Sequence, residues 1–496
     1  MALNVTDPAL IPSVAARLDK AGFPLLVWLE PQYTVDGLWG EIGEALYLHD
    51  ANGNWQKRTR INNTINVFHP RVRQEVCRWL EGVSSALRGD SRILGYELVE
   101  ESALRFDVSE PNSAKVQARY GGYSRAAVVA FRHRLEQTYA SIETLNGKWG
   151  TRYGSFAGIT PPPLLHRREP SREGPEVALL AAFQEFRAAE HAEYFRQMVA
   201  ALHRGDPTRP VIPQFTTPLF GDPLGAVDLS RMAEAGWDIL SFHTDAAFPY
   251  LYSLARYNGR PLWNDEHIWS DRAPRAETSE QALRARAASL LWRNLMWGAR
   301  GLVRFNRPAF CPERYLVDGH ESLSKVRVIV VPVAPYLPET VRQRLADWVE
   351  AGGVLVALGP FAIHDEFGHP QAPEPSDANH NKGRHVRVPL QGSVEAIAGA
   401  VCDAVDAALS DRAAVATDNR LELMLRALPD SSRLLIVLNG DAQRTVVGQV
   451  QVRGEFTQVV DATVDGGIRA KPEHEAGTTV LAVNLEPGEA RVFVLR

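Results

Sequence analysis

From Pro8 to Pro308, short apolar runs alternate with amphipathic stretches, and this alternation constrains the fold more than any other feature of the chain. Apolar runs of strand length separated by helix-length amphipathic segments are the signature of βα units around a parallel sheet. The expected strands are PLLVWLE (24–30), RILGYELVE (92–100), PVIPQFT (210–216), DILSFHT (238–244), PLWNDEHIW (261–269) and GLVRFN (301–306). Helices are expected over 9–21, 70–88, 122–147, 175–204 and 278–299. Within 122–147, Val128, Phe131, Leu135, Tyr139 and Ile142 recur every three or four residues, the period of an amphipathic helix. The pattern predicts a (β/α) barrel of TIM type with six strands where a full barrel has eight. The two units without a counterpart fall at the front, because the first expected helix begins almost at Met1.

Beyond Arg307 the pattern changes. VRVIVVPVAPYL (326–337) reads as a buried strand, PETVRQRLADWVEAGG (338–353) as a helix and VLVALGP (354–360) as the next buried strand. Pro338 opens that helix and Gly352-Gly353 ends it, the usual asymmetry of helix termini. Together they predict a small flavodoxin-like α/β domain. The segment 366–384 is polar and rich in Pro, Gly and Asn, and reads as a loop. From about Arg420, short apolar runs with turn signals between them predict a C-terminal β-sandwich. The expected domains are therefore 1–315, 316–412 and 413–496.

A chain of 496 residues exceeds one compact core, in keeping with that division. A formal net charge of -5 offers neither a basic surface for nucleic acid nor a polybasic membrane patch. No run reaches the ~18 consecutive apolar residues of a membrane span. The N-terminal stretch has no basic region leading into an apolar one, so no signal peptide is expected. Cys77, Cys311 and Cys402 are far apart, odd in number and without CxxC spacing, which fits a cytoplasmic protein lacking disulfides and structural zinc. The histidines show no HExxH spacing, and neither a metal nor another cofactor is expected. The Gly pairs at 121–122 and 352–353 lack the context of a phosphate-binding loop.

Two of the expected strands end in carboxylates: RILGYELVEES (92–102) and RPLWNDEHIW (260–269). A barrel arms its catalytic face with side chains at the C-terminal ends of its strands, and a pair of carboxylates flanking one bond is what glycoside hydrolysis requires. The bland alternative for any one of these acids is a loop cap or a surface ion pair.

The segment FRHRLEQTYASIETLNGKWGTRYGSFAGITPPP (131–163) resembles the stretch that follows the acid/base strand in glycoside hydrolase family 42, the microbial β-galactosidases. The order of the rest, a barrel, an amidotransferase-like α/β domain and a small β-domain, is similar to that family. The resemblance implies a retaining exo-glycosidase, acting on terminal β-D-galactosides or related glycosides, with the acid/base after strand four and the nucleophile after strand seven. RILGYELVE then takes the place of strand four and PLWNDEHIW that of strand seven, leaving strands one and two absent. Glu101 falls at the acid/base position, with Glu100 as the alternative; Glu100 stands where the family has Asn. That Asn donates a hydrogen bond to the sugar, whereas a carboxylate cannot donate unless protonated. Adjacent acids also raise one another's pKa, which suits a general acid. Glu266 falls at the nucleophile position, and the neighbouring Asp265 is expected to point to the opposite side of its strand.

Sugars pack their C–H faces on aromatic rings. Trp28, Tyr96, His243, Tyr250, Trp263 and Trp269 are candidate contacts at strand ends, although each such residue is as readily core. Trp149, in LNGKWGT, resembles a residue the family keeps beside the sugar pocket, and Arg307, with Arg304, is placed to reach sugar hydroxyls. The resemblance further implies a homo-oligomer, commonly a trimer. The Asn-to-Glu change and the short front of the barrel motivate a second expectation, a weakened or inactive relative serving as a carbohydrate-binding or assembly protein. An amidotransferase activity is disfavoured because no Cys lies between Cys311 and Cys402.

Overall fold

The computed structural model describes residues 2–4, 25–31, 35–55, 65–100, 102–109, 116–164, 175–214, 225–242, 248–264, 285, 288–289, 292–293, 296, 323–371, 383–409, 412–441, 443–463 and 467–496. They group into two compact units, Met1–Asp238 with Cys311–Ala408, and Ile239–Phe310 with Leu409–Arg496.

The first unit is built on parallel strands β1 (Ala2–Asn4), β2 (Leu25–Leu29) and β3 (Ile93–Glu100). A hairpin of β4 (Arg105–Ser109) and β5 (Val116–Tyr120) follows β3, and β6 (Val211–Gln214) completes the sheet in the order β1-β2-β3-β6. β1 corrects the expectation that two strands are absent ahead of Leu25: Ala2–Asn4 pairs with Leu26–Trp28. Three residues are too few to show a period of two, so the pattern could not reveal it.

Helices cover one face of this sheet. Helix α1 (Pro70–Leu87) starts where the His69 ring accepts from the Arg71 N–H, with Pro70 at its first turn. Its buried Val72, Val76, Leu80, Val83 and Leu87 form one stripe. The expected helix 122–147 is in fact two, α2 (Arg125–Tyr139) and α3 (Ile142–Trp149). The break falls at Ala140, whose φ is 59°, and at Ser141, whose hydroxyl accepts from the Thr144 N–H and caps the second helix. Helix α4 (Pro175–Gly205) packs along α1 and carries a row of buried aromatics, Phe183, Phe186, Tyr194 and Phe195.

The same unit contains β9 (Val328–Val331), β10 (Ala334–Tyr336), β11 (Val354–Leu358), β12 (Phe361–His364) and β13 (Arg384–Val388). These pair as a parallel sheet β13-β11-β9 and a parallel pair β10-β12. The single strand expected over 326–337 is thus two, parted after Val331, because Pro332 lacks the N–H that would continue the ladder. Helix Glu339–Glu350 buries Val341, Leu345 and Trp348 against Leu355 and Ala357, and ends at Gly352 with φ 117° as expected.

In the second unit β7 (Leu240–Phe242) and β8 (Leu262–Asn264) pair in parallel, joined through the helix Phe248–Tyr257. The expected strand GLVRFN (301–306) lies outside the described residues. The C-terminal residues form two antiparallel sheets, β14-β17-β21-β20 and β15-β16-β22-β18-β19. These are β14 (Ala414–Ala416), β15 (Leu421–Ala427), β16 (Arg433–Asn439), β17 (Val446–Arg453), β18 (Val459–Asp461), β19 (Ile468–Ala470), β20 (Glu473–Glu475), β21 (Thr478–Leu485) and β22 (Ala490–Leu495). Leu435, Val437, Val450, Val452, Leu481 and Phe493 share the core of the expected sandwich. Among the described residues no helix is long and apolar enough to cross a membrane.

Candidate active site

β3 lies between β2 and β6, and its last residue, Glu100, is in register with Gln214. A register shift between Leu98 and Glu100 interrupts the ladder where the strand delivers its acidic end. Successive side chains alternate across the sheet. Tyr96 points to the helix layer: it is fully buried, and its hydroxyl donates to Asp206 Oδ2 at 3.0 Å just past the end of α4. Burial, then the Asp206 hydrogen bond, drives the Tyr96 phenol pKa upward. This corrects Tyr96 as a sugar contact, since a side chain turned to the helices is turned away from the barrel interior.

Glu97 therefore takes the opposite, interior face, beside its register partner Trp28 on β2. Trp28 Nε1 donates to Glu30 Oε1 at 3.0 Å, so Glu30 stands on that side too. Glu30 and Glu97 are both buried, at 2% and 3% exposure. Sequence reasoning missed both, because an isolated Glu in an apolar run carries no local mark of the face it occupies.

Ser102 and Leu104 are held tightly. The Ser102 hydroxyl lies 2.8 Å from His191 Nε2, and His191 Nδ1 lies 3.0 Å from the Ala226 carbonyl. Leu104 N–H donates to the Gly225 carbonyl, and its own carbonyl accepts from Gly121 N–H and from Arg187 Nη2. Arg187 Nε also donates to the Gly121 carbonyl at 2.7 Å. The Gly121-Gly122 pair thus serves close approach: a Cβ at Gly122 would lie 3.1 Å from Arg187 Nε.

Trp149 is also placed otherwise than expected. Only 1% exposed, it donates from Nε1 to the Tyr139 hydroxyl at 3.0 Å and meets that ring edge-on. The LNGKWGT signature is a self-capped helix end: Asn146 Oδ1 accepts from Tyr153 N–H and the Thr151 hydroxyl, while its amide donates to the Tyr153 carbonyl. Gly150 supplies the left-handed terminus at φ 68°. ITPPP is fastened in turn, with Arg132 Nε donating to the Ile159 carbonyl and the Tyr123 hydroxyl to that of Pro162.

In the second unit Trp263 lies on β8 with 40% exposure, and Tyr250 is half-buried in the helix between β7 and β8. Glu101, His243, Asp265, Glu266, Trp269, Arg304 and Arg307 lie outside the described residues, and Glu100 is described in its backbone alone. Among the described residues no group of three or more His, Cys, Asp or Glu side chains could hold a metal.

Residues 47–259 match the family model for β-galactosidases of glycoside hydrolase family 42. A β-galactosidase from an Arthrobacter species is 34% identical over 128 residues, a stretch that is 25% of this chain and 17% of that protein. The solved β-galactosidase from Bacillus circulans sp. alkalophilus is similar with a TM-score of 0.67 at 13% identity, covering 100% of this chain and 94% of its own. A family 42 exo-carrageenase from Bacteroides ovatus is similar with a TM-score of 0.64 at 13% identity, covering 95% of this chain and 75% of its own. The β-galactosidase from Rahnella sp. R3 matches with a TM-score of 0.67 at 12% identity, over 99% of this chain and 93% of that one. At such identities these likenesses show the fold, a TIM-type barrel architecture with a sheet-rich C-terminal region. The matched segment contains β3 with its acidic end and the Asn146-capped signature helix, and over these residues the chain is similar to glycoside hydrolase family 42.

Proposed function

We propose that this chain is a retaining exo-glycosidase that hydrolyses terminal β-D-galactosides or closely related glycosides. The observation that carries the reading is the family match over 47–259, spanning a parallel strand that ends at Glu100, the residue before Glu101 in the sequence. In this reading the Glu266 carboxylate attacks the anomeric carbon as the bond to the leaving oxygen breaks, and Glu101 gives its proton to that oxygen. Glu101, now a carboxylate, takes a proton from water; the water oxygen bonds to the anomeric carbon and Glu266 is released. Glu100, Trp28, His243, Tyr250, Trp263, Trp269 and Arg307 are proposed to contact the sugar. No cofactor has a role in these steps, and assembly as a homo-oligomer is part of the same proposal.

The test is a panel of nitrophenyl glycosides. The wild type is expected to turn over the β-galactoside, and Glu266→Gln to lose ~10⁴-fold or more in kcat, as removal of a nucleophile does. Undiminished turnover by a folded Glu266→Gln protein would remove the assignment.

A further inference from the structure

We propose that His191 is a positioning residue for the acid/base carboxylate, acting through Ser102, the residue after Glu101; this rests on the reading of Glu101 above. His191 and Arg187 stand one turn apart on α4, both fully buried. From there they reach three backbone segments that meet behind the end of β3. His191 bonds the Ser102 hydroxyl and the Ala226 carbonyl, and Arg187 the carbonyls of Leu104 and Gly121.

The chemistry of these partners fixes the state of the ring. A carbonyl only accepts, so Nδ1 must carry the proton that bonds Ala226, and in the neutral ring Nε2 is then the acceptor for the Ser102 O–H. Burial is the main reason the ring stays neutral, with its pKa pushed down to about 4. A neutral ring of fixed tautomer is a rigid peg between α4 and the residue next to the general acid. Ser102, Ala103 and Leu104 are themselves buried, so the chain cannot relax there without opening the core. A general acid works only when its proton is held within hydrogen-bonding reach of the leaving oxygen, and a misplacement of about 1 Å costs roughly 10²-fold.

The prediction separates positioning from mere stability through the leaving group. Departure of 2,4-dinitrophenolate needs no proton, whereas departure of phenolate does. Wild type, His191→Ala, Ser102→Ala, His191→Gln and Glu101→Ala are to be compared on the dinitrophenyl and phenyl β-galactosides. Expected is a loss of kcat/KM for His191→Ala at least ~10-fold larger on the phenyl than on the dinitrophenyl substrate, carried in kcat. Ser102→Ala, which removes one hydroxyl from the contact, should show the same bias to a smaller degree, and His191→Gln, which keeps a donor and an acceptor, should recover part of it. Equal losses on both substrates, or none, in His191→Ala and Ser102→Ala overturn the proposal while a strong bias in Glu101→Ala leaves the reading of Glu101 standing. No bias in Glu101→Ala overturns that reading and the proposal with it. Should His191→Ala fail to fold, the Ser102→Ala result decides.

Discussion

At the residue scale, the sequence marks which side chains are chemically able and leaves open which way they face. Tyr96 and Glu97 are neighbours, yet one meets Asp206 in the helix layer and the other shares the interior face with Trp28. Tyr96→Phe tests this placement. Losing the hydrogen bond to a buried carboxylate should cost about 1–2 kcal/mol in urea unfolding, with kcat/KM on a nitrophenyl glycoside changed less than about twofold. A large kinetic loss at unchanged stability would return Tyr96 to the sugar. His191 provides a pH test. Burial, helped by Arg187 and Arg73, lowers its pKa to about 4 in the folded chain, against 6.5 when unfolded, and the Ala226 hydrogen bond only partly opposes this. The unfolded chain then binds the extra proton between those values, so stability is full above pH 6.5 and declines as pH falls toward 4. This single group accounts for up to about 3 kcal/mol of that loss. Urea midpoints at pH 7, 5.5 and 4.5 should fall less steeply in His191→Gln than in the wild type.

At the element scale, regular patterns were legible and their interruptions were not. Helix α1 follows the apolar period closely because its one buried stripe writes itself into the sequence, while β3 and β11, buried on both faces, read as short apolar runs. The break at Ala140-Ser141 was invisible, since the apolar positions continue across it and only the capping serine hints at a new start. LNGKWGT is similar to the family's stretch, but its Trp149 is a core residue and its Asn146 a cap. β16 shows the reverse case: RLLIVLN has no alternation because Leu435 and Val437 face the sandwich core, while Ile436 and Leu438 face Met296 on the other side. Packing between helices is tested at Gly205, the last residue of α4. A Cβ there would lie 2.0 Å from Ser84 Oγ and 2.5 Å from the Glu81 carbonyl oxygen. Gly205→Ala should therefore lower stability by about 1–3 kcal/mol, read from its urea midpoint, through overpacking against α1. An unchanged midpoint would mean that α1 can yield at this crossing.

At the scale of the whole molecule, chain order and compactness part company. The second unit joins Ile239–Phe310 to Leu409–Arg496, so β7 and β8 share it with the C-terminal sheets. Met296 packs with Met424, Ile436 and Leu438, Arg293 donates to Glu422, and a Cβ at Gly488 would strike the Ala285 carbonyl at 2.1 Å. Truncation after Ala408 should then do more than remove a distal sheet. It should strip the apolar partners of Met296 and abolish the proposed glycosidase activity with loss of soluble, cooperatively melting protein. A truncated chain of wild-type activity would refute this coupling. Among the described residues, the sequence by itself determined the alternation of strand and helix, the middle α/β segment, the late β-rich region and the acidic end of β3, because each is a local pattern of apolar and polar residues. The tertiary structure alone decided that Tyr96 and Trp149 serve the core, that Glu30 and Glu97 are buried carboxylates, and that His191 reaches Ser102. Those outcomes depend on residues far apart in the chain meeting in space, and no local period records such a meeting.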